Sequence, residues 1–220
     1  YISSDGEVTL RIYNSASQAF VRDIDYTEVL AEYGDFESFE IAQISDIHEL
    51  TGSSNFKSII NELNTTVNPD FTIITGDISD HGTPEQYAKY LEDKELFTNP
   101  VYTTPGNHDV RWWNANGKKD FTNKIGPLYQ SFDYKGVHFV LLDSTVNLEL
   151  DGKINNAQLE WLKDDLAAIP KDMPVIMFAH HPFKINNNIT ARHELLDAVK
   201  GYNVIAYMSG HVHYYGNVVE

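Results

Sequence analysis

Five short apolar runs in this chain end in the same way, on a turn that carries Asp, Asn or His, and a fold has to put those five ends somewhere. The clearest run starts at Val101, where Pro105 and Gly106 break the strand and Asn107, His108 and Asp109 leave the turn together. Asp46-Ile47-His48 ends a run from Phe39 to Ser45, and Gly76-Asp77 ends one from Phe71 to Thr75. His180-His181 follows Val175 to Ala179, and Gly210-His211-Val212-His213 follows Val204 to Met208. One such turn would pass for a polar surface loop. Five point to strands whose C-terminal ends share an edge, which is where open α/β sheets carry their chemistry.

The segments between these runs read as helices. Phe56, Ile59, Ile60, Leu63 and Val67 fall at helical spacing, with Ser53 or Ser54 able to cap them and Asn68-Pro69-Asp70 to stop them. Thr83-Pro84-Glu85-Gln86 is a capping box with proline in the first turn, and it starts a helix that turns Tyr87, Tyr90 and Leu91 inward. Trp112 and Trp113 then open a loop to Gln130. Strands over Ser131 to Asp133 and Val137 to Asp143 join across Lys135-Gly136, and Asp151-Gly152 predicts a hairpin. Asn156 can cap a helix with Leu159, Leu162 and Leu166 on one face, and Thr190 another through Leu195, Leu196 and Val199, closed by Gly201. Helices alternating with strands early, and hairpins in the middle, predict an α/β protein: a four-layer αββα sandwich with two mixed β-sheets. Residues 1–35 carry no chemical motif. Val8 to Tyr13 alternates, Phe20 to Tyr26 reads as its partner, and these N-terminal β strands are either the tail of a preceding domain or additions to the main sheet of 36–220.

Composition narrows the function. The 220 residues are 42% hydrophobic and suffice for one substantial core, and no apolar run approaches a membrane span. A formal charge of −16 argues against nucleic acid as a partner, because neutralising phosphates takes a basic surface. With no cysteine, thiolate nucleophiles and Cys-ligated zinc are excluded. Sequons at Asn64 and Asn188 and the abundance of Asn, Ser, Thr and Tyr favour an exported or cell-surface protein over a cytoplasmic one, and Tyr1 in place of Met is expected of a processed chain.

The strand ends together offer Asp46, His48, Asp77, Asn107, His180, His211 and His213. Imidazole nitrogens mixed with carboxylate and amide oxygens are ligands for Mn, Fe, Zn or Co. Seven are too many for one ion, whereas two ions about 3.5–4 Å apart around a shared carboxylate would use them all. Two divalent ions with two aspartates and neutral imidazoles leave a formal charge of about +2, a well for a phosphate group in an otherwise acidic protein.

These residues resemble the signatures of the calcineurin-like metallophosphoesterase superfamily. Asp46-x-His48, Gly76-Asp77-x-x-Asp80, Gly106-Asn107-His108-Asp109, Ala179-His180-His181-Pro182 and Gly210-His211-x-His213 match in order and approximate spacing, over about residues 39 to 215. Thr75 to Gly82, with Tyr87 downstream, is most similar to the branch that hydrolyses cyclic nucleotides and glycerophosphodiesters. Purple acid phosphatases instead carry a tyrosine ligand where Asp80 stands. The resemblance implies two divalent or mixed-valence transition-metal ions. Asp46, His48 and His213 would hold one, Asn107, His180 and His211 the other, and Asp77 would bridge. It also implies attack of a metal-bridging hydroxide on a small phosphoester, with His108 as charge partner or proton donor and Asp109 orienting it. A phosphodiester is the favoured substrate; the alternatives are a phosphomonoester, or a metal-free binding module of the same fold. Relatives usually continue with further strands after His213, so the expectation is either a sandwich lacking its C-terminal edge or a longer natural protein.

Several neighbours have plainer readings. His180 is preferred to His181 because the pattern places a residue between the ligand and the proline. His81 reads as a solvated loop residue, His138 and His193 as structural, and Asp80 as a hydrogen-bond partner behind the ligands. Trp112 and Trp113 either pack on the core or wall a substrate pocket.

Overall fold

The computed structural model describes residues 9–14, 19–25, 38–50, 55–112, 116–183, 189–190 and 192–213. Strands β1 (Thr9–Asn14) and β2 (Ala19–Asp25) pair antiparallel in a two-stranded sheet of their own. The main fold begins with β3 (Ile41–Ile44), α1 (Phe56–Glu62), β4 (Phe71–Thr75), α2 (Pro84–Lys94) and β5 (Val101–Thr104). The three strands form one sheet in the order β3-β4-β5, parallel throughout. Two short helices follow, α3 (Asn107–Arg111) and α4 (Gly117–Lys124). Next come β6 (Gln130–Tyr134), β7 (Val137–Leu141), β8 (Gly152–Lys153), α5 (Asn156–Ala167) and β9 (Val175–Phe178), then β10 (Ile189–Thr190), α6 (Arg192–Val199) and β11 (Val204–Met208). The second sheet runs β11-β9-β7-β6 and is the mixed one: its β6–β7 hairpin is antiparallel and its other pairs are parallel.

Alternation along the strands builds the layers. In β7, Val137, Phe139 and Leu141 face the first sheet, where they meet Phe39, Phe71 and Ile73, while Val140 and Leu142 face Leu159, Leu162 and Leu166 of α5. Ile74 of β4 points the other way, into Phe56, Ile60, Tyr87, Tyr90 and Phe121 from α1, α2 and α4. Three apolar seams therefore separate helix, sheet, sheet and helix, which is the αββα sandwich. Burying a side chain such as Phe139, with no exposed surface, contributes roughly 1.5–3 kcal/mol.

Local chemistry explains most boundaries and several departures from the sequence reading. Thr83 accepts from Gln86 N at 3.3 Å as expected, but the Gln86 side chain turns to His81 N, at 2.8 Å, rather than closing the box. The helix begun at Phe56 is α-helical only to Glu62 and widens to a π turn over Leu63–Val67. There Asn64 is drawn aside to Leu96 O and Thr98, and Asn68 ends the segment in the left-handed region. Asn155, not Asn156, caps α5, accepting from Gln158 N at 3.0 Å. Asp151-Gly152 makes no hairpin: Gly152 and Lys153 pair parallel with Ile189 and Thr190, a distant partner that a local turn signal cannot reveal. Thr190 lies in that strand instead of capping α6. The segment from Asn107 to Gln130, read as turn and loop, holds α3 and α4, because Gly106 N donates to Asp109 Oδ2 at 2.8 Å and starts a helix at the turn itself. Ser53, Ser54, Trp113 and Asn188 lie outside the described residues.

Candidate metal centre

Beyond the strand ends the chain stays paired through its backbone. Asp46 N donates to Gly76 O (3.1 Å) and His48 N to Asp77 O (2.9 Å), which continues the β3–β4 edge, and Gly210 N donates to His180 O (3.0 Å) along the β9–β11 edge. The two edges then meet. His180 Nδ1 lies 2.8 Å from Thr75 O across the sheets, and His211 N donates to both carboxylate oxygens of Asp46, at 2.9 and 3.1 Å. Side chains from both sheets thus face one another over a single rim.

Such close approach dictates the glycines. Gly76 has φ +84° and its Cα faces Gly106 so tightly that a Cβ would stand 2.6 Å from Gly106 N. The backbone is also bent out of its ordinary range at the rim. Asp46, His48, Asp77, His211 and His213 all have positive φ, between 47° and 72°, a conformation uncommon outside glycine and costing about 1–3 kcal/mol each. Lys135, Leu148 and Asn68 are the other described non-glycine residues of this kind, so the strain gathers where the ligand candidates are.

All seven candidates converge. Ligand atoms of Asp46, His48 and His213 lie within 4.8 Å of one another, as do those of Asp46, Asp77 and His180. His180 Nε2 lies 3.2 Å from Asp77 Oδ2, 3.0 Å from Asn107 Oδ1 and 3.2 Å from His211 Nδ1. On the other side, His48 Nε2 is 3.7 Å from Asp77 Oδ2 and 3.3 Å from His213 Nε2, which is itself 3.3 Å from Asp46 Oδ1. The remaining ring nitrogens are held from behind. His180 Nδ1 faces a carbonyl and His48 Nδ1 faces Asp80 Oδ1 at 3.2 Å, both acceptors, so each ring keeps a proton there and turns Nε2 toward the Asp77 carboxylate.

Unprotonated ring nitrogens facing a carboxylate would repel it unless something positive lay between them. The buried cluster registers that demand. Although burial works against it, Asp77 and Asp46 raise the pKa of His180 to about 9, as though a proton had to stand in for a cation. Asn107 Nδ2 is buried with no hydrogen-bond partner among the described residues, a further unsatisfied polar atom of this cluster. The donor set is nitrogen and oxygen without sulfur, and it fits transition-metal ions.

The comparisons with known proteins agree with this chemistry. Residues 39–215 match the calcineurin-like phosphoesterase family. The chain belongs to that family. It is 32% identical over 186 residues to a probable glycerophosphodiester phosphodiesterase of Arcobacter nitrofigilis, covering 76% of this chain and 64% of that protein. It is 31% identical over 159 residues to a probable cyclic nucleotide phosphodiesterase of Rhodococcus erythropolis, covering 66% and 52%. A 3′,5′-cyclic-nucleotide phosphodiesterase of Nostoc is 30% identical over 197 residues, covering 79% and 71%. The chain thus spans about two thirds and about half the length of the first two relatives.

Around the cluster of this calcineurin-like phosphoesterase, the neighbouring residues fall into place. His181 is buried, with Nδ1 2.8 Å from Ser144 Oγ and Nε2 2.9 Å from Leu150 O, and it lies with His180 and His211 in a group whose ligand atoms are within 4.8 Å of one another. Burial and the adjacent His180 push its pKa down to about 3. The expectation that Asp109 orients His108 is corrected. Asp109 is buried and ties two loops together, accepting from Ser79 N and Oγ (3.0 and 2.8 Å) and from Gly106 N. Asp80 meets the His108 ring instead: Asp80 O is 2.8 Å from His108 Nδ1. Asp80 Oδ2 is also 2.8 Å from His81 Nδ1, so one aspartate contacts three histidines. The sequence reading named Asp80 but missed Thr75 O and Ser79. A backbone carbonyl has no signature in sequence, and a lone serine after a strand gives no sign that it supports a carboxylate.

Proposed function

We propose that this chain hydrolyses small phosphodiesters with two transition-metal ions, Mn, Fe, Zn or Co. Asp46, His48 and His213 would hold one ion and Asn107, His180 and His211 the other, with Asp77 between them. The observation that carries this reading is the placement of Asp77 Oδ2 between His48 Nε2 and His180 Nε2, both rings being fixed from behind by acceptors. The ions would supply Lewis acidity, a nucleophile near neutral pH and charge neutralisation at phosphorus.

The chain's own residues do the rest. Asp77 Oδ1 is occupied by His108 N at 2.8 Å, which keeps Oδ2 turned toward the histidines and locks α3 against the cluster. His108 Nδ1 lies 2.8 Å from Asp80 O, which leaves Nε2 as the nitrogen turned away from that contact, and its ring stands 4.5 Å from that of His48. A proton delivered from Nε2 to the departing alkoxide is the role that position allows. Asp109 acts only through the loops it ties. A diester is preferred because Asp80 stands where a phenol ligand would otherwise crowd the site, and because similar proteins bear glycerophosphodiester and cyclic-nucleotide phosphodiesterase names.

The test is a panel. Metal-stripped protein is supplied with each ion singly and assayed on bis-p-nitrophenyl phosphate and p-nitrophenyl phosphate. Activity should return with a transition metal and favour the diester in kcat/KM. A higher kcat/KM for the monoester would move the protein to a phosphomonoesterase, and no metal dependence would contradict the proposal.

A further inference from the structure

Trp112 is a large side chain left 47% exposed, and it stands beside the candidate reaction site. It follows the last turn of α3. Its indole Nε1 lies 3.3 Å from His108 Nδ1, and its ring centroid is 5.9 Å from that of His108 and 6.0 Å from that of His81. Arg111 covers one face, with its guanidinium carbon 4.1 Å from the ring centroid. A half-exposed ring braced by a cation on one face keeps the other for a ligand.

The polar end of the ring is turned to His108, whose Nδ1 stands 3.3 Å from the indole Nε1 and so holds the ring beside that histidine. A flat, half-exposed ring one step from the cluster matches an aromatic ester arm.

We infer that Trp112, braced by Arg111, is a specificity-determining residue that stacks on a flat aromatic group in the ester arm retained after hydrolysis. The inference rests on the phosphodiesterase reading and deepens it, since it selects aryl and nucleoside diesters over simple alkyl diesters. Stacking of this kind changes affinity by a factor of about 2–10.

Two substrates isolate the effect, bis-p-nitrophenyl phosphate and methyl p-nitrophenyl phosphate, which expel the same leaving group and differ in the retained arm. Wild type, Trp112→Leu and Trp112→Phe would be reconstituted with the same metal and compared. The wild type should show the lower KM for the aryl arm. Trp112→Leu should raise that KM by a factor of about 5–10 and bring the two KM values together, and Trp112→Phe should restore most of the difference because a phenyl face still stacks. A KM ratio that survives in Trp112→Leu overturns the inference, as does an equal fall of kcat on both substrates, the mark of a structural role. Failure of the wild type to hydrolyse either diester overturns the phosphodiesterase reading and this inference with it; normal turnover with an unaltered ratio overturns this inference alone.

Discussion

Gly106→Ala tests how tightly the two turns must approach. Gly106 has φ −105° and ψ 172°, an extended conformation that alanine adopts freely, so the substitution adds only bulk. A Cβ there would stand 2.8 Å from Asp77 Cγ and closer still to Asp77 N and Oδ1. Ordinary contact begins at 3.4 Å, and the Asp77 backbone nitrogen and Oδ1 would lie more than about 1 Å inside that limit, so the turn after β4 and the start of α3 would have to part by about that much. Overpacking on this scale costs about 1–3 kcal/mol. For a chain of this size that lowers Tm by roughly 2–12 °C. The same shift moves Asp77 Oδ2 away from His48 and His180, so metal affinity should fall by a factor of ten or more while the far β6–β7 hairpin is untouched. Thermal melts of stripped and loaded protein, with a metal titration, measure both effects. A variant that melts with the wild type and binds metal equally well would show that the approach of Gly106 to Asp77 does not shape the site.

Two further outcomes are expected. His108→Ala should keep its metal content and lose kcat by roughly 10²–10⁴-fold, the range for a general acid–base group; loss of metal on elemental analysis would make His108 a ligand instead. His138, far from the site, is held between Asp165 (2.9 Å) and Asp133 (2.6 Å), and although burial opposes the charge these carboxylates raise its pKa. Its stabilisation is therefore complete below the unfolded histidine pKa of about 6.5 and is lost as pH rises through the folded pKa. In urea melts, wild type should exceed His138→Gln most below about pH 6 and progressively less above. A gap independent of pH, or widening with it, would refute the assignment.

Much of this architecture was legible because its signals are local. Short apolar runs marked the strands, and Thr83-Pro84 and Asn68-Pro69 punctuated the helices where the structure begins and ends them. The polar residues at the strand ends were visible for the same reason. What escaped depends on contacts distant in sequence. The parallel partner of Gly152 lies 37 residues on, and α3 looked like a turn because its capping residue is glycine and its stabilising carboxylate, Asp109, reads as catalytic. His180 and His181 differ in sequence only by position. In the structure His180 Nδ1 meets Thr75 O and His181 Nδ1 meets Ser144 Oγ, while both rings lie with His211 in one group able to hold a metal ion. Asp80 was read as a supporting residue, but its grip on His108 comes from its backbone carbonyl, which no residue type announces.

Metal content by elemental analysis is the most direct test, made on wild type and Asp77→Ala after stripping, reloading with a single transition metal and dialysis to equilibrium. Asp77 Oδ2 lies 3.7 Å from His48 Nε2 and 3.2 Å from His180 Nε2, and removing a unit charge a few ångströms from a cation costs about 4 kcal/mol at the effective dielectric of such sites. The account predicts about two ions per wild-type chain and a loss of at least one in the variant. Wild type that retains none or one, or an Asp77→Ala protein that retains both at full occupancy, would contradict it.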